Sequence, residues 1–208
     1  MKGNCLTLAA CVCLFLGATG VPVDAQSFSA NFSSTSKSQA GNTIVTGKIF
    51  TTLLQTRMDM QSHGRSMSVI GDATTQTSYM IMHDQRIYME YKRGQANPMA
   101  RTLPPVEGPL DPRNPCLRHT DSTCKDLGPE TRSGRACEKW LLTRKDGIST
   151  TVWVDQTLQF PIRSESSNGS LLEFSNIKEG PQAAALFQVP NGYRKMDMSM
   201  MGGPKRPQ

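Results

Sequence analysis

The sequence predicts an all-β domain. Short runs of β-branched, aromatic and methionine residues recur at intervals of about ten residues with turn dipeptides between them, the spacing of a sandwich or barrel. No long 3.6-residue periodicity interrupts that pattern. With 17 Gly and 13 Pro in 208 residues and 37% hydrophobic residues, the composition is turn-rich rather than that of a helical bundle.

Met1-Lys2 supplies a positive start, Leu6 to Leu16 an apolar stretch, and Val23-Asp24-Ala25 a small-residue cleavage pattern, so residues 1–25 read as a signal peptide. The apolar stretch is too short, and too soon followed by Gly17, Gly20 and Pro22, for a membrane span. Leu8-Ala9-Ala10-Cys11 resembles a lipobox, but few residues precede the cysteine, and export to the periplasm or beyond is favoured over lipid anchoring at Cys11. Residues 26–197 form the domain. Its Ser-rich start, with Phe28 and Phe32 four apart, fits either a short helix or a first strand. Thr43–Phe50 and Thr52–Met60 read as strands, with Gly47 marking a bend or bulge. Ser66–Gly71, Ser78–Met82 and Arg86–Lys92 continue the pattern, and in the last of these Ile87, Met89 and Tyr91 share one face while Tyr88 and Glu90 share the other.

From Gly94 to Pro115 the pattern collapses in a Pro-rich segment, read as a long loop or lid. Thr123–Thr131 and Ala136–Arg144 then form a hairpin around Ser133-Gly134. Thr151–Val154, Pro161–Glu165 and Leu171–Phe174 make a three-stranded meander, its second turn signalled by Asn168-Gly169. Pro161 belongs at a strand's start or on an edge. Ala183–Leu186 has room for one helical turn, Phe187–Tyr193 closes the domain, and residues 198–208 read as a disordered tail. About ten strands are expected on this reading.

Charge and cysteines narrow the function classes. The formal charge is +6, but Lys and Arg are scattered, so a solvated basic surface is expected and nucleic acid is not. Export implies an oxidising compartment. Cys5, Cys11 and Cys13 leave with the signal, so Cys116, Cys124 and Cys137 remain and one of them is unpaired. Cys116–Cys124 is favoured because it closes a short loop beside the Pro-rich segment, and Cys124–Cys137 is the alternative. Gly-x-Ser-x-Gly, a phosphate-cradling loop and a dinucleotide fingerprint are absent, and His63, His83 and His119 fall in predicted turns without a nucleophile motif. No catalytic residue and no cofactor is expected. Asp84, Glu90 and Asp155 read as solvated carboxylates at strand ends or turns.

A family resemblance adds to this. Trp153-Val154-Asp155, Pro161, Asn168-Gly169, Leu172 to Asn176, Leu186-Phe187 and Pro190-x-Gly192 resemble the C-terminal half of outer-membrane lipoprotein carriers, the LolA/LolB-like superfamily. Gly47, Arg57 and Val69-Ile70-Gly71-Asp72 agree loosely with the first half. The pattern Tyr79-Met80-Ile81-Met82, Tyr88-Met89, Asn114-Pro115-Cys116, Gly134-Arg135 and Gly192 to Met196 is closer still to the exported bacterial DUF4412 proteins. The resemblance implies an unclosed, strongly curved antiparallel β-barrel with a lid over an apolar concave face. It also implies that Arg57 matches an arginine that helps hold the lid. Clear lid helices are missing here, and the Pro-rich segment stands in their place.

Methionine is the unusual component. Met58, Met60, Met67, Met80, Met82 and Met89 all fall on predicted strands, and such side chains suit adaptable apolar surfaces. Met58, Met60, Met80 and Met82, with Tyr88 and with Arg57 as the resemblance implies, are the expected ligand-binding set, for a lipid or other apolar molecule on the concave face that the resemblance also implies. A second reading is a soft-metal site for Cu(I) from Met58, Met60, His63 and Met67, with Met196, Met198, Met200 and Met201 as a further cluster. A third is an envelope module whose sheet edge or Pro-rich loop meets a protein partner.

Overall fold

A computed structural model describes residues 27–38, 41–62, 64–92, 111, 113–118 and 121–196. The expected signal segment with Cys11, nearly all of the Pro-rich segment, His63, His119 and the residues from 197 on lie outside the described residues.

The described residues fold as one open, curved sheet of twelve strands. The first six are β1 (Phe28–Ser38), β2 (Gly41–Thr51), β3 (Gln55–Ser62), β4 (Arg65–Asp72), β5 (Thr77–Met82) and β6 (Ile87–Lys92). After the Pro-rich segment come β7 (Ser122–Arg132), β8 (Arg135–Arg144), β9 (Ser149–Asp155), β10 (Phe160–Ser166), β11 (Leu171–Glu179) and the two-residue β12 (Arg194–Lys195). Two meanders, β1 to β6 and β7 to β11, join where β1 pairs with β11, giving the order β12-β6-β5-β4-β3-β2-β1-β11-β10-β9-β8-β7. Every pairing is antiparallel except β12 with β6. Single 3₁₀ turns occupy Pro115–Arg118 and Ala184–Phe187.

The Ser-rich start is a strand because its hidden residues alternate: Phe28, Ala30, Phe32 and Ser34 are all buried. The phenylalanines tie the two meanders together across the β1–β11 seam. Phe28 meets Phe160 edge-on with ring centroids 5.1 Å apart, Phe160 meets Phe174 at 5.5 Å, and Phe32 lies 6.4 Å from Phe174.

Gly47 corrects an expectation. The pairing of β2 with both neighbours runs through it without a break, so it marks no bulge. It is glycine for lack of space: a Cβ there would fall 1.9 Å from the Asp59 carbonyl oxygen and 2.9 Å from Cε1 of Phe32. The register breaks lie elsewhere, at Ser29/Asn31, Pro161/Arg163 and Asp126/Gly128. Pro161 sits in an interior strand and is accommodated by the bulge beside it. On the edge strand β7, the break comes with a positive φ at Gly128 and is followed by Pro129, features that discourage pairing with a foreign strand.

Asp155 is a second correction. It is not solvated but 1% exposed. Both Nε and Nη2 of Arg135 donate to its carboxylate, and the amides of Thr157 and Leu158 donate to Oδ1 at 2.9 and 2.8 Å. Arg135 also reaches Glu179 at 2.6 Å, so one guanidinium fastens β8, β9 and β11 together. Cys116 and Cys124 form a disulfide with Cα atoms 5.9 Å apart, which tethers the 3₁₀ turn to β7. Among the described residues Cys137 is the free thiol; it is buried, and desolvation pushes its pKa up to about 11. Since the thiolate is the reactive form, iodoacetamide at mildly alkaline pH is expected to leave the Cys137 peptide unlabelled in the native protein. In concentrated urea the same peptide should label fully.

Candidate ligand face and the strap behind it

Across β3 to β6 the ladders run without a bulge, so paired Cα positions share a face and alternate residues oppose each other. One row reads Met58–Val69–Met80–Met89, and the next reads Met60–Met67–Met82–Ile87. Six methionines thus lie on one face of four neighbouring strands. Met58, Met60, Met80 and Met89 are at most 5% exposed, whereas Met67 and Met82 are half-buried, so the face reaches solvent at these last two. Met67, Met82 and Met196 pack against buried Met80, Met89 and Tyr91, and the Tyr91 hydroxyl donates to the Met89 sulfur at 3.4 Å.

The expected ligand set does not share that face. Arg57 is adjacent to Met58 in β3, and Tyr88 to Met89 in β6, so the pleat turns both to the opposite side. Of the set, Met58, Met60, Met80 and Met82 are brought together, and Arg57 and Tyr88 are not among them. For the metal set, Met60 pairs with Met67 and Met58 lies beside them, while His63 lies outside the described residues.

The opposite side carries a polar network. Arg57 donates from Nε to Asp59 at 2.6 Å, from Nη2 to Ser68 at 3.2 Å and from Nη1 to the carbonyl of Leu186 at 2.9 Å. Ser68 is fully buried and donates its proton to Asp59 at 2.5 Å. His83 Nε2 lies 2.6 Å from the Ser68 oxygen, and His83 Nδ1 lies 2.8 Å from the Tyr193 hydroxyl. With the Ser68 proton spent on Asp59, Nε2–H donates to Ser68, and in a neutral imidazole Nδ1 then accepts from Tyr193. A buried serine with a committed proton is a tie between elements and offers no nucleophile to solvent.

What it ties down is residues 184–196, which we term the strap. Phe187 is buried against Ile70 and Ile81, with Phe50, Tyr79 and Tyr88 around them. Arg194 and Met196 donate their amides to Arg86 and Tyr88 at 2.9 and 2.8 Å. The Lys195 ammonium reaches Glu90 at 2.6 Å and holds that carboxyl below the ordinary glutamate range. Sequence reading missed Asp59, Ser68, His83 and Tyr193, although the alternation of Ser68 and Ile70 against Met67 and Val69 was a signal for the two faces. Replacing Arg57 by methionine removes a charged donor from the part-buried Leu186 carbonyl, and about 1.5–3 kcal/mol rests on such a bond. Hydrogen exchange at the Arg194 and Met196 amides is expected to quicken by at least about tenfold. Unchanged exchange there would detach Arg57 from the strap.

No protein-family model matches the sequence, and no curated protein sequence does. The fold does have counterparts among solved structures. An uncharacterised conserved protein from Thermus thermophilus superposes with a TM-score of 0.54 at 8% identity, covering 83% of this chain and 90% of that one. MucB superposes with a TM-score of 0.53 at 15% identity over 84% of this chain. The chain shares its fold with these proteins. It spans 61% of the length of MucB. A LolA superfamily protein from Nitrosomonas europaea aligns over 80% of this chain and 94% of its own, with a TM-score of 0.38 and 12% identity.

Proposed function

We propose that the chain is an exported, non-enzymatic binding module of the lipoprotein-carrier-like kind, closest to the DUF4412 branch, that holds a lipid or other apolar ligand on its methionine face. The observation that carries this reading is the gathering of six methionines on one side of β3 to β6, with Met67 and Met82 left half-buried. Unbranched thioethers re-pack around ligands of varied shape at little cost. An apolar binding surface of this type needs no catalytic group. The signal-like residues 1–25 and the absence of a nucleophile motif support the same reading.

Native mass spectrometry of the chain extracted from its own envelope tests it. A co-purifying lipid is expected. A ligand-free mass together with a captured protein would overturn the reading in favour of an interaction module. Substitution sharpens the test, and the structure dictates where to place it. Serine at Met58, Met60 or Met80 empties a core position and costs several kcal/mol, whereas Met67 and Met82 are open enough to change. Met67→Ser with Met82→Ser is expected to weaken uptake of a fluorescent fatty acid roughly tenfold, from the apolar area lost. Unchanged uptake in the folded variant would contradict the proposed face.

A further inference from the structure

We propose that the strap runs on as a strand beyond Met196, so that Met198 completes the rim of the methionine face as a further ligand-contacting residue. The ligand role rests on the apolar-ligand reading above, whereas the strand itself does not. β12 runs parallel to β6, with Arg194 opposite Ile87 and Lys195 opposite Tyr88. The amides of Arg194 and Met196 donate to the carbonyls of Arg86 and Tyr88. Every second amide of the strap therefore points at β6, and the next in that series, Met198, is aimed at the carbonyl of Glu90. Among the described strands, none runs beside Met89 to Tyr91 on that outer edge. Such an edge is a template for one more length of strand, and the chain that leaves Met196 is already in register with it.

The residues that follow have the period this edge demands. Met196-Asp197-Met198-Ser199-Met200 alternates thioether with polar side chain, which on a strand sends the methionines to one face and the others to the opposite one. Lys195 fixes which face is which. It reaches Glu90 on the strap side of the sheet, so Met196 lies on the other side, packed against the cluster of Met80, Met89 and Tyr91. Two residues further on, Met198 falls opposite Tyr91 on that same face, at the margin of the methionine cluster. Asp197 falls opposite Glu90, a like charge, but Glu90 is paired with Lys195. The diagonal step that takes Lys195 from Tyr88 to Glu90 takes Asp197 from Glu90 to Lys92. Exposed pairs of this kind contribute little. The main-chain bonds and the burial of a thioether against Tyr91 carry the register. β6 ends at Lys92, so Met200 lies past the last rung, and the disordered tail expected from residue 198 begins there instead.

Hydrogen exchange in the full chain tests the strand without reference to any ligand. Protection at the Met198 amide is expected to be at least about tenfold greater than at Asp197 and Ser199, whose amides point away from β6. Equal protection at the three would overturn the strand. The ligand role is read separately, through uptake of a fluorescent fatty acid. Met198→Ser is expected to weaken uptake roughly fivefold, from the apolar area lost, and Met198→Leu to retain it. Uptake by the unaltered chain that Met198→Ser leaves unchanged would overturn Met198 as a ligand residue while sparing the apolar-ligand reading. An unaltered chain that takes up no fatty acid would overturn that reading and the ligand role of Met198 with it, and the exchange result would then decide the strand alone.

Discussion

Replacing Gly47 by alanine is expected to destabilise the protein by about 3 kcal/mol, at the upper end of what overpacking a core costs. The added methyl would lie 1.9 Å from a backbone oxygen, that of Asp59, and 2.9 Å from the ring of Phe32. Neither neighbour yields easily. The oxygen is fixed by the β2–β3 ladder, and Phe32 is locked among the phenylalanines that join the two meanders. Relief must come from pushing β3 away from β2, and β3 carries both Arg57 of the strap network and Met58 and Met60 of the methionine face. The loss therefore extends beyond stability. Urea denaturation should show the lowered midpoint, with faster exchange at the strap amides. A change below about 0.5 kcal/mol, the range of ordinary surface substitutions, would mean that the strands part more readily than their register implies.

Arg135→Met is expected to cost about 3 kcal/mol, because it strands the Asp155 carboxylate in the core with only two backbone amides for company. For a domain of this size that corresponds to a fall of roughly 6–12 °C in Tm. Arg135→Lys should recover only part of the loss. An ammonium does not reproduce the planar fork that reaches Asp155 and Glu179 together. Full recovery by lysine would show that charge alone, and not the bridging of three strands, is what β8, β9 and β11 require.

The hairpin of β7 and β8 around Ser133-Gly134 and the meander of β9 to β11 were legible because strong turn residues separate strand-forming runs. Where legibility failed, the cause is a partner far away in sequence. Asp155 reads as a solvated strand end until Arg135, 20 residues earlier, is folded beside it. Gly47 reads as a bulge because crowding by Asp59 leaves no local trace. β12 is two residues long and owes its place to the strap and β6, not to its own sequence. The division of the candidate site is different, because it was available from alternation alone. Arg57 and Met58 are neighbours in one strand, as are Tyr88 and Met89, and neighbours in a strand cannot share a face. Treating all six as one surface passed over that constraint.

The proposed uptake of an apolar ligand by the methionine face can be watched directly through methyl-labelled methionine. In the full chain with ¹³C-methyl methionine, titration with a long-chain fatty acid is expected to move the Met67 and Met82 resonances first and furthest, with smaller shifts at Met80 and Met89 beneath them. If those four stay fixed while the fatty acid binds, the ligand lies elsewhere. If none moves at any concentration, the face is core packing and nothing more.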